Sequence, residues 1–138
     1  MAQLNPYLNF NGNCKEAMTF YQSVFGGELT MQTVGETPMP CPAGMENQIM
    51  HSMLVADGVL LMGSDMLGPD GFRPGNTVTM SLNCKSEEEI TTLFNKLADG
   101  GHIAEGLKEM FWGALFGAVA DKFGVRWMFK FEKGIGKN

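Results

Sequence analysis

The stretch 11–29, NGNCKEAMTFYQSVFGGEL, recurs in altered form at 83–103, NCKSEEEITTLFNKLADGGHI. Each copy follows a short apolar run, opens on a polar turn containing Asn-Cys-Lys, continues with helical spacing and closes on Gly-Gly and an apolar residue. Phe10 answers Leu82, Ala17 answers Ile90, Tyr21 answers Phe94, Phe25 answers Ala98 and Leu29 answers Ile103. The offset drifts by only two residues, so two insertions reconcile the copies. A repeat covering about half the chain implies two similar modules that bury their apolar faces together.

The order of elements follows from pattern and punctuation. NPYLNF (5–10) reads as a first strand. Asn13 stands at a helix start with Glu16 as its box partner, and Ala17, Phe20, Tyr21, Val24 and Phe25 form the buried stripe. Gly26-Gly27 stops that helix, and ELTMQTV (28–34) is the next strand. The Pro- and Gly-rich segment 35–47 reads as a loop, a length that is often functional. IMHSMLV (49–55) and a strand at 59–62 flank the hairpin signal Asp57-Gly58. The loop 65–75 links this first module, 1–64, to a second, 76–138.

In the second module 76–82 is a strand, and Ser86 caps a helix with Glu89 as its box partner. Glu87 and Glu88 lie at the positive end of the helix dipole. Ile90, Leu93, Phe94 and Leu97 form its stripe, and Gly100-Gly101 ends it. Strands are expected around Ile103, over 112–119 and over 125–131, where Val125, Trp127, Phe129 and Phe131 alternate with Arg126, Met128 and Lys130. The chain is therefore βαβββ twice, an α+β protein. Two such mixed sheets with helices outside would form a curved, half-closed trough, and a trough mouth is the default place for a ligand.

Composition narrows the function. With 138 residues, 44% hydrophobic and 18% charged, the chain is ordinary globular material. Its net charge of −5, with Lys and Arg scattered apart from a Lys-bearing C-terminal tail, argues against nucleic-acid phosphates as a partner. No window approaches eighteen apolar residues, and no signal peptide is visible, so the expected setting is the cytoplasm and not a membrane. Three cysteines suit a reducing compartment. Cys14 and Cys84 stand at matching helix starts, where a dipole can lower a thiol pKa, but small buried or turn-side cysteines explain them more simply. Cys41, in a proline-rich loop, has no partner at metal-ligand spacing. No Ser-His-Asp order, phosphate loop or Cys-x-x-Cys pattern occurs.

The tandem modules, each with a strand-turn-helix closed by Gly-Gly, resemble the vicinal oxygen chelate superfamily of glyoxalase I, extradiol dioxygenases and bleomycin-resistance proteins. The resemblance is closest to the PhnB-like branch. It is carried by 5–29, 49–65 (IMHSMLVADGVLLMGSD), 81–89 (SLNCKSEEE) and 111–129 (FWGALFGAVADKFGVRWMF). The superfamily's enzymes hold a divalent metal with one His or Glu from each of four strands. The resemblance puts those positions at Asn5, near 62–64, at Thr77 and at Met128. Asn and Thr are poor ligands and Met is too soft for a hard cation. The expectation is therefore no metal and no other cofactor, with a divalent metal as the disfavoured alternative. A methyltransferase label sometimes given to such proteins finds no glycine loop to hold a methyl donor.

His51 is the single candidate catalytic residue. A core histidine with satisfied nitrogens and a trough-facing base stand level, and the alternation places it on the side of Ile49 and Met53. Phe111, Trp112 and Phe116 are either packing or an aromatic wall for a flat ligand. Arg126 flanks Met128 and could attract an anion. Asp65 and Asp121 sit at turns, where Asp commonly bonds the local backbone; His102 is expected at the surface.

The expected function is a small-molecule-binding protein, with candidate ligand residues Asn5, His51, Thr77, Phe111, Trp112, Phe116, Arg126 and Met128. The resemblance also implies a homodimer, with modules exchanged or not. The alternative is a lyase, isomerase or oxygenase of the superfamily with a non-standard ligand set around His51.

Overall fold

The computed structural model describes residues 1–132; the Lys-bearing tail lies outside the described residues. Apolar spacing and strand alternation resolve into β1 (Tyr7–Asn9), α1 (Cys14–Phe25), β2 (Glu28–Thr33), β3 (Ile49–Ala56), β4 (Val59–Ser64), β5 (Met80–Asn83), α2 (Glu87–Ala98), β6 (His102–Glu109), β7 (Ala114–Ala120) and β8 (Arg126–Glu132). The chain divides into two compact units, Met1–Arg73 and Pro74–Asn138. Each is one βαβββ module with a four-stranded mixed sheet, in the orders β1-β4-β3-β2 and β5-β8-β7-β6. The expected tandem α+β architecture is what the chain adopts.

In the first unit β1 runs parallel to β4, and β2, β3 and β4 are antiparallel neighbours. Cys14, Ala17, Met18, Tyr21 and Val24 of α1 are buried, together with Phe10, Leu54 and Leu61. Met18 belongs to this stripe although the apolar spacing did not single it out, while Phe20 and Phe25 are only half-buried. In the second unit Ile90, Phe94 and Leu97 of α2 are buried with Val119, Trp127 and Phe129, and the rings of Phe94 and Phe129 meet edge-on at 5.3 Å.

Several strand ends differ from expectation, and each shift moves a candidate residue off a strand. Pairing begins at Tyr7, so Asn5 precedes β1, separated from it by Pro6, which has no N–H to donate. The second-module strand begins at Met80, the first residue paired to β8, and leaves Thr77 in the exposed segment after Gly75. Phe111 and Trp112, expected at or beside a strand start, lie in the β6–β7 turn. Gly113 at φ 92° and the 3.0 Å bond from its N–H to the Met110 carbonyl close that turn. The loop after β2 begins with a 3-10 turn, Val34–Glu36, in which the Glu36 carboxylate accepts from the Thr33 N–H and hydroxyl at 2.7 and 3.1 Å.

The helix starts are built differently. Ser86 caps α2 as expected, its hydroxyl accepting the Glu89 N–H at 3.0 Å; the Glu89 carboxylate accepts the Lys85 backbone N–H at 2.7 Å. Asn13 does not cap α1 with its side chain. The acceptor there is Asp65, whose Oδ1 takes the N–H groups of Gly12 and Cys14 at 3.0 Å each, while its Oδ2 takes the Ile49 N–H at 2.9 Å. One buried carboxylate just after β4 thus fixes the first turn of α1 and the start of β3. The local turn role expected of Asp is found at Asp121, whose Oδ1 accepts from Phe123 and Val125 at 2.9 and 3.1 Å. Its Oδ2 accepts the Trp127 indole N–H at 2.8 Å, which anchors that core ring.

Candidate functional site

Each sheet has one face against its helix and one face away from it, and the register decides which residue goes where, since paired residues on adjacent strands share a face. In the first unit Gly63 faces α1, because a Cβ there would meet the Phe10 ring and the Met18 sulfur at 3.1 and 3.4 Å. Its partner Ser52 lies on the same side, with Leu54 and Leu61. The opposite face carries Tyr7, Met62 and Met53 in one row, and Gln32 opposite His51 in the next.

His51 is exposed, not a core histidine, and its ring lies 6.1 Å from that of Tyr7. It does share a face with Met53, but Ile49 is buried. Gln32 pairs with His51 and Thr33 with Ile49, so Met50 is an extra residue, and this bulge breaks the alternation that had grouped Ile49 with His51.

In the second unit Gly117 marks the helix side, since a Cβ there would meet Phe94 and Leu107 at 2.8 and 2.9 Å. The opposite face is read directly from the ladder. Arg126 stands beside Ala120, Met128 beside Ala118 and Lys130 beside Phe116 on β7, with Ser81 of β5 beside Met128. On the far side of β7, His102, Glu105 and Lys108 stand beside Ala120, Ala118 and Phe116. The structure therefore brings Phe116, Arg126 and Met128 onto one face. It separates Phe111 and Trp112 from Phe116, leaving them as an edge-on pair at 4.9 Å in the turn, 96% and 42% exposed. Asn5 and Thr77 stand in segments before β1 and β5. Among the described residues no group of three His, Cys, Asp or Glu side chains is placed to hold an ion.

The cysteines at the two helix starts are not activated. Burial pushes the Cys14 thiol up to about 11; Ser52 opposes this and the Asp65 charge adds to it. The Ser52 hydroxyl donates to the Gly63 carbonyl at 2.7 Å, and the Cys14 sulfur lies 3.5 Å from that hydroxyl oxygen. Burial, with the Glu89 charge behind it, pushes Cys84 up to about 11 as well. Alkylation at pH 8 should modify the partly exposed Cys41 first and leave Cys14 unmodified in the folded protein, as read by mass spectrometry of peptides. Both raised values favour the folded state fully below pH 9 and lose that contribution as pH climbs from 9 towards 11. Replacing both cysteines by alanine should therefore flatten the alkaline limb of the stability curve.

Comparison with known proteins gives the geometry its family. The model of the 3-demethylubiquinone-9 3-methyltransferase family matches residues 2–129. Protein YjdN of Escherichia coli (strain K12) is 36% identical over 94% of this chain and 95% of its own. The crystal structure of protein PA1353 from Pseudomonas aeruginosa superposes with a TM-score of 0.86 at 41% identity, covering 96% of this chain and 98% of that one. The PhnB protein of Bacillus cereus superposes at 0.75 with 29% identity over 94% and 99%. A glyoxalase/bleomycin resistance protein/dioxygenase family enzyme from Burkholderia phytofirmans PsJN shares the fold at 15% identity, TM-score 0.60, over 91% and 96%. Two βαβββ modules and a family match running from β1 into β8 lead to one conclusion: this chain belongs to the PhnB-like family, within the glyoxalase/bleomycin resistance/dioxygenase fold.

Proposed function

We propose that the chain is a small-molecule-binding protein that works without the four-ligand metal of its wider superfamily, and that it acts as a homodimer. The observation that carries this reading is the make-up of the sheet faces turned away from the helices. They present Tyr7, Gln32, His51, Met53 and Met62 in one unit and Ser81, Phe116, Arg126, Met128 and Lys130 in the other. Aromatic and thioether groups interspersed with a few directional polar groups suit an organic ligand. A hard divalent cation is poorly served by the same residues. The positions implied for its ligands hold Asn5, Thr77 and Met128, with no carboxylate or imidazole among them, and Met128 is flanked along β8 by Arg126 and Lys130.

A thermal-shift screen of neutral and acidic organic compounds tests the reading. At least one compound should raise Tm by about 3 °C or more, the shift growing with the logarithm of its concentration once ligand greatly exceeds Kd. His51→Ala should leave the unliganded Tm within about 2 °C, since an exposed side chain contributes little to stability, and should diminish the shift of any compound held on the first unit's sheet. A large loss of stability with the ligand shift intact would remove His51 from the site. Elemental analysis of protein purified without chelator should find well under one divalent ion per chain; a full, tightly held equivalent would overturn the metal-free reading. Light scattering should give twice the 15.1 kDa chain mass at micromolar concentration.

A further inference from the structure

The acidic balance of the chain is reversed on one face. Overall ten Lys and Arg face fifteen Asp and Glu. On the side of the second sheet turned from α2, the ladder brings Lys108, Arg126 and Lys130 together against Glu105 and Glu132, with His102 at the corner. The middle strand of that face is low. Ala118 and Ala120 stand between Met128 and Arg126 on one side and Glu105 and His102 on the other, while Phe116 rises between Lys108 and Lys130. Two strand spacings across and four residues along β8, this patch measures roughly 10 by 13 Å.

The three cations are not equivalent. Lys108 is held by Glu105 at 2.7 Å and Lys130 by Glu132 at 3.6 Å, both on exposed side chains where such pairs exchange readily. Arg126 has no carboxylate within ion-pair distance among the described residues. Its Nε donates to the Thr79 hydroxyl at 3.4 Å, which turns one edge of the guanidinium towards β5. The terminal amino groups remain to meet a planar anion in the two-point manner that arginine favours.

From this we propose that the ligand is a small organic acid, one carboxylate on a flat apolar body. The carboxylate is held by Arg126, with Lys130 and Lys108 supplying the surrounding field. The apolar body lies over Ala118 and Ala120, between the Met128 thioether and the Phe116 ring. The inference rests on the small-molecule-binding reading above and adds the chemical class and the orienting residue.

Calorimetric titration with phenylacetate and its neutral amide, phenylacetamide, tests it on the whole chain at low salt. Phenylacetate should bind saturably and at least tenfold more tightly than the amide, and should weaken as salt rises. Arg126→Gln should reduce phenylacetate affinity at least tenfold and leave the amide unchanged. Ala118→Leu, which fills the floor without touching charge, should weaken both. Unliganded melting curves confirm that both variants are folded. Equal binding of acid and amide, or acid binding indifferent to Arg126→Gln or to Ala118→Leu, overturns the proposal. If neither compound binds and only neutral compounds shift Tm in the thermal screen, the organic-acid assignment falls and the binding reading stands; an acidic hit of another scaffold replaces phenylacetate and must meet the same tests against its own amide. Failure of every compound takes both.

Discussion

Gly27→Ala should destabilise the protein by about 4 kcal/mol, whereas Gly26→Ala, one residue earlier, should cost only about 1–2 kcal/mol. Both glycines have left-handed backbone, at φ 74° for Gly26 and 87° for Gly27. At Gly26 an added Cβ meets nothing within 4 Å, so only the backbone preference is lost. At Gly27 it would run into the Val55 carbonyl oxygen and sit 2.7 Å from the Ala56 Cβ, on the neighbouring strand β3. Backbone of a paired strand cannot step aside without breaking its ladder, so the overlap adds to the left-handed cost.

The second unit repeats the design. Gly100 ends α2 at φ 76°, and a Cβ on Gly101 would strike the Ala120 carbonyl oxygen and lie 2.9 Å from the Asp121 Cα. Gly101 itself is not left-handed, so Gly101→Ala carries the overlap alone and should cost about 3 kcal/mol. Urea unfolding of the four single variants checks the pattern; equal costs at the first and second glycine of a pair would show that close approach is not what the pair serves.

That contrast explains why the architecture was legible. The Gly-Gly pair repeats because a helix must end and the next strand must enter pressed against its neighbour, a steric demand that leaves a local and invariant mark. Helix stripes carry the same kind of mark, since Ile90, Phe94 and Leu97 need only face one way. What stayed hidden was decided by distant partners. The extra residue at Met50 that separates Ile49 from His51 arises from the register with β2, and nothing in IMHSML announces it. Phe111 and Trp112 look like strand residues by propensity, yet the turn closed by Gly113 claims them. Of the candidate site, Arg126 and Met128 were legible from the alternation of β8. The border contributed by Lys108 and His102 was not, because β6 reaches Phe116 and Ala120 only through a ladder with two irregularities.

Asp65→Ala is the second large expected loss, about 4 kcal/mol, and the same logic of distance makes it the least local. Asp65 is 6% exposed, and its carboxylate accepts from three backbone N–H groups, two of them 51 and 53 residues away in the chain. Each hydrogen bond to a charged acceptor contributes roughly 1.5–3 kcal/mol, and a buried donor left without one costs a further share that water recovers in part. Asp65→Asn should lose about half as much. Its carbonyl oxygen can still serve Gly12 and Cys14, but its amide nitrogen then faces the Ile49 N–H, donor against donor. At roughly 3 °C per kcal/mol for a chain of this size, the alanine variant should melt about 12 °C lower. Hydrogen exchange should localise the damage to the first turn of α1 and the start of β3, with α2 protected as before, since the three N–H groups that Asp65 accepts all belong to the first unit. A loss below about 1 kcal/mol would mean that Asn13 takes over the cap once Asp65 is gone, and the helix start would then be local after all.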